Sequence, residues 1–339
     1  MSPISKTTKQ IIKWVFVIAI IAIIVYTFRD SAGPIWDQLK QTSAWVVAAI
    51  CAAAVLYHLV EGWLNYSFAR QYTNNFTYGM GVESAFYCSF YRVATLGSGA
   101  GVAAVFYFNE KGIPASKATG MYMIEYVMHK LSIAIFSAIF FLVSYGFMHE
   151  HFADYATMLI AGYILTAVIA IALVLFCCWR WLHGVILFLL DKLNRKGKLD
   201  GMIMGLREQC AILEDAASEL MTKKRFIFGV ILKNLLKFAC CYGIPFLILY
   251  QEYGLTLLQS WAITSLAFML AAVIPSPAGI GSSEFVFTAL FAVIVGTGEA
   301  GSAALLYRFA TFVLPFLIGA VVVLLRRRVA KQIAKRRAS

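Results

Sequence analysis

Glu125 and His129 stand four residues apart in an apolar stretch, so on a helix they share one face, with Tyr122 a turn earlier and Lys130 turned aside. Ionisable groups in such surroundings are costly and as a rule face the protein interior. This pair could pass a proton or meet a cationic headgroup; an ion pair with Arg92 or Arg308 is the structural alternative. Arg308, preceded by Tyr307 and followed by Pro315, lies well inside the last apolar segment. Its planar fork suits bidentate grip of a lipid phosphate. His58 and Glu61 are three apart in another segment, and Lys233 and Lys237 one turn apart in a third. The lysine stems are long enough to snorkel to a membrane interface, which is the simpler reading of both. His149-Glu150-His151 could hold a metal but reads more simply as a polar turn.

Two small-residue stretches interrupt the apolar runs. In Ile274–Phe285 (IPSPAGIGSSEF), Pro275 and Pro277 remove backbone donors, while Gly279 and Gly281 permit conformations that a helix cannot take. Unwound backbone facing lipid would leave polar groups unsatisfied, so this break must be buried in protein or line a wet cavity. Ser282 or Ser283 can then cap a new helix whose first turn holds Glu284, and its free N–H groups suit a phosphate or carboxylate. A packing kink with a capped restart explains the same spacing. Thr95–Gly101 (TLGSGAG) carries Gly97, Gly99 and Gly101. It lacks GxGxxG spacing and a preceding strand, so it is no nucleotide loop. Close helix packing is the commonest use of such residues, with ligand contact the alternative.

The elements that position these groups follow from composition. Of 339 residues, 61% are hydrophobic and 14% charged, and the mean hydropathy is +0.77. Those values exclude a soluble globular domain and define an all-α polytopic membrane protein without barrel-like alternation. Full crossings are expected at Ile11–Phe28, Ala44–Leu64, Ala118–Phe147, Tyr155–Cys178, Phe226–Tyr250 and Ala300–Leu325. The first has a signal peptide's basic flank, but it is too long and lacks a small-residue cleavage site, so it is expected to stay uncleaved. Val82–Phe108 and Leu257–Val295, each interrupted, are expected as re-entrant helical hairpins.

The net charge of +12 comes from basic residues at the ends of apolar segments and in the tail from Arg326 to Arg337. That distribution points to anionic lipid headgroups and not to nucleic acid. Lys and Arg crowd Trp179–Arg225 and the C-terminus, whereas Met148–Asp154 and Gln251–Gly254 have none. Both termini and the 179–225 connector are therefore expected in the cytoplasm. The seven cysteines show no CxxC spacing, so neither a disulfide framework nor a metal site is expected, and nothing suggests a cofactor. No GxSxG, HExxH or metal-holding acidic run supports an enzyme reading.

Helix, interrupted hairpin, helix recurs as 44–147 and 226–325 within a single 1–339 membrane domain, and the topology gives the halves opposite orientations. Leu96–Gly101 (LGSGAG) echoes Ala278–Ser283 (AGIGSS), and Lys117–Tyr126 (KATGMYMIEY) echoes Ala300–Phe309 (AGSAALLYRF). Inverted repeats with broken helices place a substrate near the midplane of secondary transporters. In the connector, Trp181–Leu193 is expected to be an interfacial amphipathic helix. Gly201–Leu220 is expected to lie on the protein or membrane through Met202, Leu206, Leu213, Ala217 and Leu220.

Ile274–Phe285 together with Ala303–Gly319 (AALLYRFATFVLPFLIG), and less distinctively Phe106–Gly120 (FYFNEKGIPASKATG), resembles the transmembrane region of lysylphosphatidylglycerol synthase, the membrane half of the bacterial multiple peptide resistance factor. The resemblance covers the whole chain. It implies a flippase for aminoacylated phosphatidylglycerol in the bacterial cytoplasmic membrane, with membrane phospholipids as partners. It leaves the oligomeric state open. The family's soluble aminoacyltransferase domain has no counterpart before the basic tail, so the chain is not expected to catalyse lysyl transfer alone, and the lipid moved could be another phospholipid, a glycolipid or a polyprenyl-phosphate carrier. Two rivals stand beside this expectation: a membrane-embedded transferase using Glu125 or Glu284, and a non-catalytic partner that recruits a separate lipid synthase through Gly201–Leu220.

Overall fold

The computed structural model describes residues 32–178, 180–194, 200–272, 274 and 281–338. The expected first crossing, Ile11–Phe28, and the break residues Pro275, Pro277 and Gly279 lie outside them. Among the described residues the chain is helical without strands, as a lipid environment requires, because a helix satisfies its own backbone. After α1 (Ala32–Gln41), α2 (Ala44–Ala69) begins where the Ser43 hydroxyl accepts a hydrogen bond from the Val46 amide. The first interrupted hairpin is α3 (Tyr78–Ala94) and α4 (Gly99–Glu110), followed by α5 (Ala115–Val143), α6 (Tyr145–Phe152) and α7 (Ala156–Cys178). The connector forms α8 (Arg180–Leu193) and α9 (Asp200–Leu220). The second half comprises α10 (Lys224–Tyr242), α11 (Ile244–Tyr253), the hairpin α12 (Leu257–Ala271) and α13 (Ser282–Val295), then α14 (Thr297–Arg308) and α15 (Leu314–Ala338).

Among the described residues, four stretches are long and apolar enough to cross a membrane: Ala44–Ala69, Ala115–Val143, Lys224–Tyr253 and Thr297–Val329. The hairpin arms α4, α12 and α13 have 12, 15 and 14 residues, short of the roughly 17 to 25 that a crossing takes. The last span carries a π-helical turn at Phe309–Val313. Pro315 has no N–H for the Thr311 carbonyl and presses against it, which accounts for the widened turn one residue past Arg308. His149–His151, expected as a polar turn, falls within α6, where His151 Nδ1 meets the Phe147 carbonyl at 3.1 Å.

The halves interlock. The first hairpin's α3 packs on α15, and the second hairpin's α12 packs on α5, while α2 packs on both α3 and α10. Two crossings are so tight that a side chain would not fit. A Cβ on Gly81 would lie 2.2 Å from the Gly62 carbonyl oxygen, and one on Gly319 would lie 2.3 Å from that of Phe86. These are small-residue helix contacts of the kind lipid-embedded interfaces use. Midway along α15, Arg326 donates to Glu83 at 2.6 Å and to Glu110, with its guanidinium over the rings of Tyr87 and Tyr107. One cation thus clasps both arms of the first hairpin.

The connector docks on α5. Its buried face runs through Ile203, Cys210, Leu213, Ala217 and Leu220. Met202, expected on that face, is exposed, and Leu206 is half-buried, so the stripe is rotated from the expected one. Lys117 on α5 holds Asp215 at 2.7 Å and Glu219 at 2.9 Å, and His183 meets Glu214 at 2.8 Å. Beside Gly120 the two helices approach closely, since a Cβ there would stand 2.5 Å from Ala216 Cβ.

Candidate functional site

A cavity of ~680 Å³ is lined by residues next to both helix breaks. Gly97 and Ala100 come from the first; Ala272, Ile274, Ser282, Ser283 and Glu284 flank the second. At the first break, Leu96 and Gly97 take left-handed backbone with φ of 50° and 97°, which a glycine tolerates and a leucine does not readily. Thr95 Oγ1 accepts from the Gly99 amide at 2.6 Å and restarts the helix. The motif divides between the two roles foreseen for it. Gly97 faces the cavity, whereas a Cβ on Gly101 would strike the Tyr122 ring at 2.7 Å and one on Gly99 would strike Thr95.

The second restart differs from the serine cap expected. Gly281, with φ of 85°, is the N-cap. The Glu284 carboxylate accepts from the Gly281 amide at 2.7 Å and from the Ser283 hydroxyl at 3.0 Å. Its other oxygen meets Arg308 Nη1 at 2.7 Å. Arg308 is only 9% exposed. Its Nε and Nη2 are buried without a hydrogen-bond partner. A buried, charged donor left unsatisfied costs on the order of 1–3 kcal/mol or more, so these two nitrogens carry an unmet demand for an acceptor.

Across the cavity stand Arg92, Glu125, His129 and Lys130. Arg92 is exposed and lines the cavity. Among the described residues neither Arg92 nor Lys130 has a carboxylate within ion-pair distance. The alternative of a structural pair between Glu125 and Arg308 or Arg92 is not realised, because Arg308 takes Glu284; Glu125 is buried beside Glu61 instead. Lys130, expected to turn aside, lines the cavity. Aligning the sequence echoes sets Glu125 in the register of Arg308, and both reach this one cavity.

The lysine that sequence assigned to the interface is instead internal. Lys237 is 1% exposed. Its Nζ donates to Glu61 Oε2 at 2.5 Å and to His129 Nδ1 at 3.1 Å, under the rings of Tyr57 and Phe238. His129 therefore accepts at Nδ1 and shares a network with the first half's Glu61. Lys233 reaches Ser67 Oγ at 2.6 Å over Trp63. His58 is held by the Ala54 carbonyl and the Ser89 hydroxyl. The Lys237–Glu61 bond joins residues 176 apart, and only their charge in apolar segments signalled it.

An all-α, polytopic membrane protein with a polar cavity at two helix breaks is the class these features define. The chain belongs to the family described as the lysylphosphatidylglycerol synthase transmembrane region, whose model matches residues 11–319. The family's name ties it to lysylphosphatidylglycerol metabolism. Comparison with curated proteins gives no match.

Proposed function

We propose that this chain is a lipid translocase of the bacterial cytoplasmic membrane, moving a phospholipid between leaflets. The observation that carries the reading is Arg308, held by Glu284 at 2.7 Å with two N–H groups buried and unsatisfied, in a cavity flanked by both helix breaks. A lipid phosphate would satisfy those donors bidentately, with the start of α13 adding its positive dipole end. The acyl chains remain in the bilayer while the headgroup crosses. Exchange of partners between the hairpins and the opposite halves, α3 on α15 and α12 on α5, supports an inverted repeat, and the basic residues at both ends of the sequence favour cytoplasmic termini. Rocking of the halves would then open the cavity to one leaflet at a time. Gly201–Leu220 stays available to a separate lipid synthase as a secondary role of the connector.

Reconstitution into liposomes carrying fluorescent phospholipids in both leaflets tests the reading. A membrane-impermeant quencher removes about half the signal from sealed, protein-free vesicles and more when lipid crosses. Protection of half the signal in vesicles holding folded protein, together with turnover of a labelled aminoacyl or glycosyl donor, would replace the translocase with a transferase.

A further inference from the structure

Charge around the cavity narrows the headgroup. Among the described residues, three cations line it, Arg92, Lys130 and Arg308, with three carboxylates, Glu61, Glu125 and Glu284. A fourth cation, Lys237, stands behind, bound to Glu61 at 2.5 Å. Counted at formal charge, four cations face three carboxylates, an excess of one positive charge. The placement matters more than the count. Glu61 is taken by Lys237, and Glu284 by Arg308, the Gly281 amide and the Ser283 hydroxyl. Among the described residues Glu125, buried beside Glu61, has no cation within ion-pair distance, Arg92 and Lys130 have no carboxylate within that distance, and Arg308 keeps two nitrogens unpartnered.

We infer that the cavity selects a headgroup of net negative charge, such as unmodified phosphatidylglycerol, and disfavours a lysylated one. A lysyl headgroup brings two ammonium groups and one phosphate, so it needs two free carboxylates where one exists. In a partly dehydrated site the unmatched ammonium meets Arg92 and Lys130 with little screening. A phosphatidylglycerol phosphate, by contrast, cancels the excess charge and satisfies Arg308. The rule for this cavity is therefore anion in and added cation out.

This inference deepens the translocase reading and rests on it, but its test has a second readout that does not. Full-length protein is reconstituted with trace fluorescent phosphatidylglycerol or fluorescent lysylphosphatidylglycerol, and transbilayer rates are compared. In parallel, detergent-purified protein is offered both lipids in equal amounts, and the retained lipid is weighed by native mass spectrometry. Phosphatidylglycerol should be moved and retained at least about tenfold in preference, a ratio equivalent to roughly 1.4 kcal/mol. Arg92→Gln with Lys130→Gln should reduce that ratio to near unity, whereas Arg327→Gln, on the exposed tail, should leave it unchanged. Equal handling, or a preference for the lysylated lipid, overturns the inference while leaving translocation intact. If neither lipid moves, the translocase reading fails and the retention ratio alone decides the headgroup, with a ratio near unity counting against the inference.

Discussion

Replacing Lys237 by methionine keeps most of the side-chain volume and removes the charge that Glu61 faces at 2.5 Å and His129 at 3.1 Å. Lys237 is 1% exposed and the Glu61 side chain only 20%, so the stranded carboxylate has limited access to water from the cavity. Breaking a buried ion pair from one side costs about 3–5 kcal/mol, since the remaining charge is stranded. At about 2 °C per kcal/mol, the lower end for chains of a few hundred residues, the apparent melting temperature in detergent should fall by roughly 6–10 °C. Adding Glu61→Gln removes the stranded charge, so the double variant should recover at least half of that loss, a coupling that a double-mutant cycle reads directly. The reasoning is refuted if Lys237→Met melts within about 1 °C of wild type, or if the two substitutions simply add.

Further consequences are open to the same thermal assay or to labelling. Arg326→Gln should unclasp both arms of the first hairpin from α15 and lower the melting temperature by several degrees, whereas exposed Arg327→Gln should not. Gly81→Ala forces a methyl group to 2.2 Å from the Gly62 carbonyl and should destabilise by about 1–3 kcal/mol, the usual range for overpacking; unchanged melting would mean that α2 and α3 do not cross there. Cys210 is buried on the connector's docked face, and that burial, with Glu214 nearby, raises its thiol pKa. At pH 7 maleimide should therefore label it slowly, and Lys117→Glu, which repels Asp215 and Glu219, should accelerate labelling at least severalfold. Equal labelling rates in the two proteins would show that the connector is not held there.

Much of this was legible in the sequence because helix breaks and buried charges are rare events in an apolar chain. Gly97 and Gly281 sit where the backbone takes positive φ, and Arg308, Glu284, Glu125, His129 and Arg92 all reach one cavity. What the sequence hid depends on direction. Helices apolar on every side carry no stripe to show which way Lys130 or Lys237 points, so both were misplaced by local spacing. The Glu284 cap was hidden by a different ambiguity, since Ser282 and Ser283 are better N-cap residues than Gly281 and only the backbone reveals which residue ends the loop. The π turn after Arg308 required knowing that Pro315 would be accommodated by widening and not by a break.

The most direct measurement of the central claim is phospholipid translocation by purified protein in sealed liposomes, comparing wild type with Arg308→Ala and Glu284→Ala at matched folding and incorporation. The account predicts movement by wild type and at least a tenfold slower rate in Arg308→Ala, with Glu284→Ala also impaired because it frees Arg308 from its orienting carboxylate. Undiminished movement in Arg308→Ala would contradict the placement of the phosphate at this arginine.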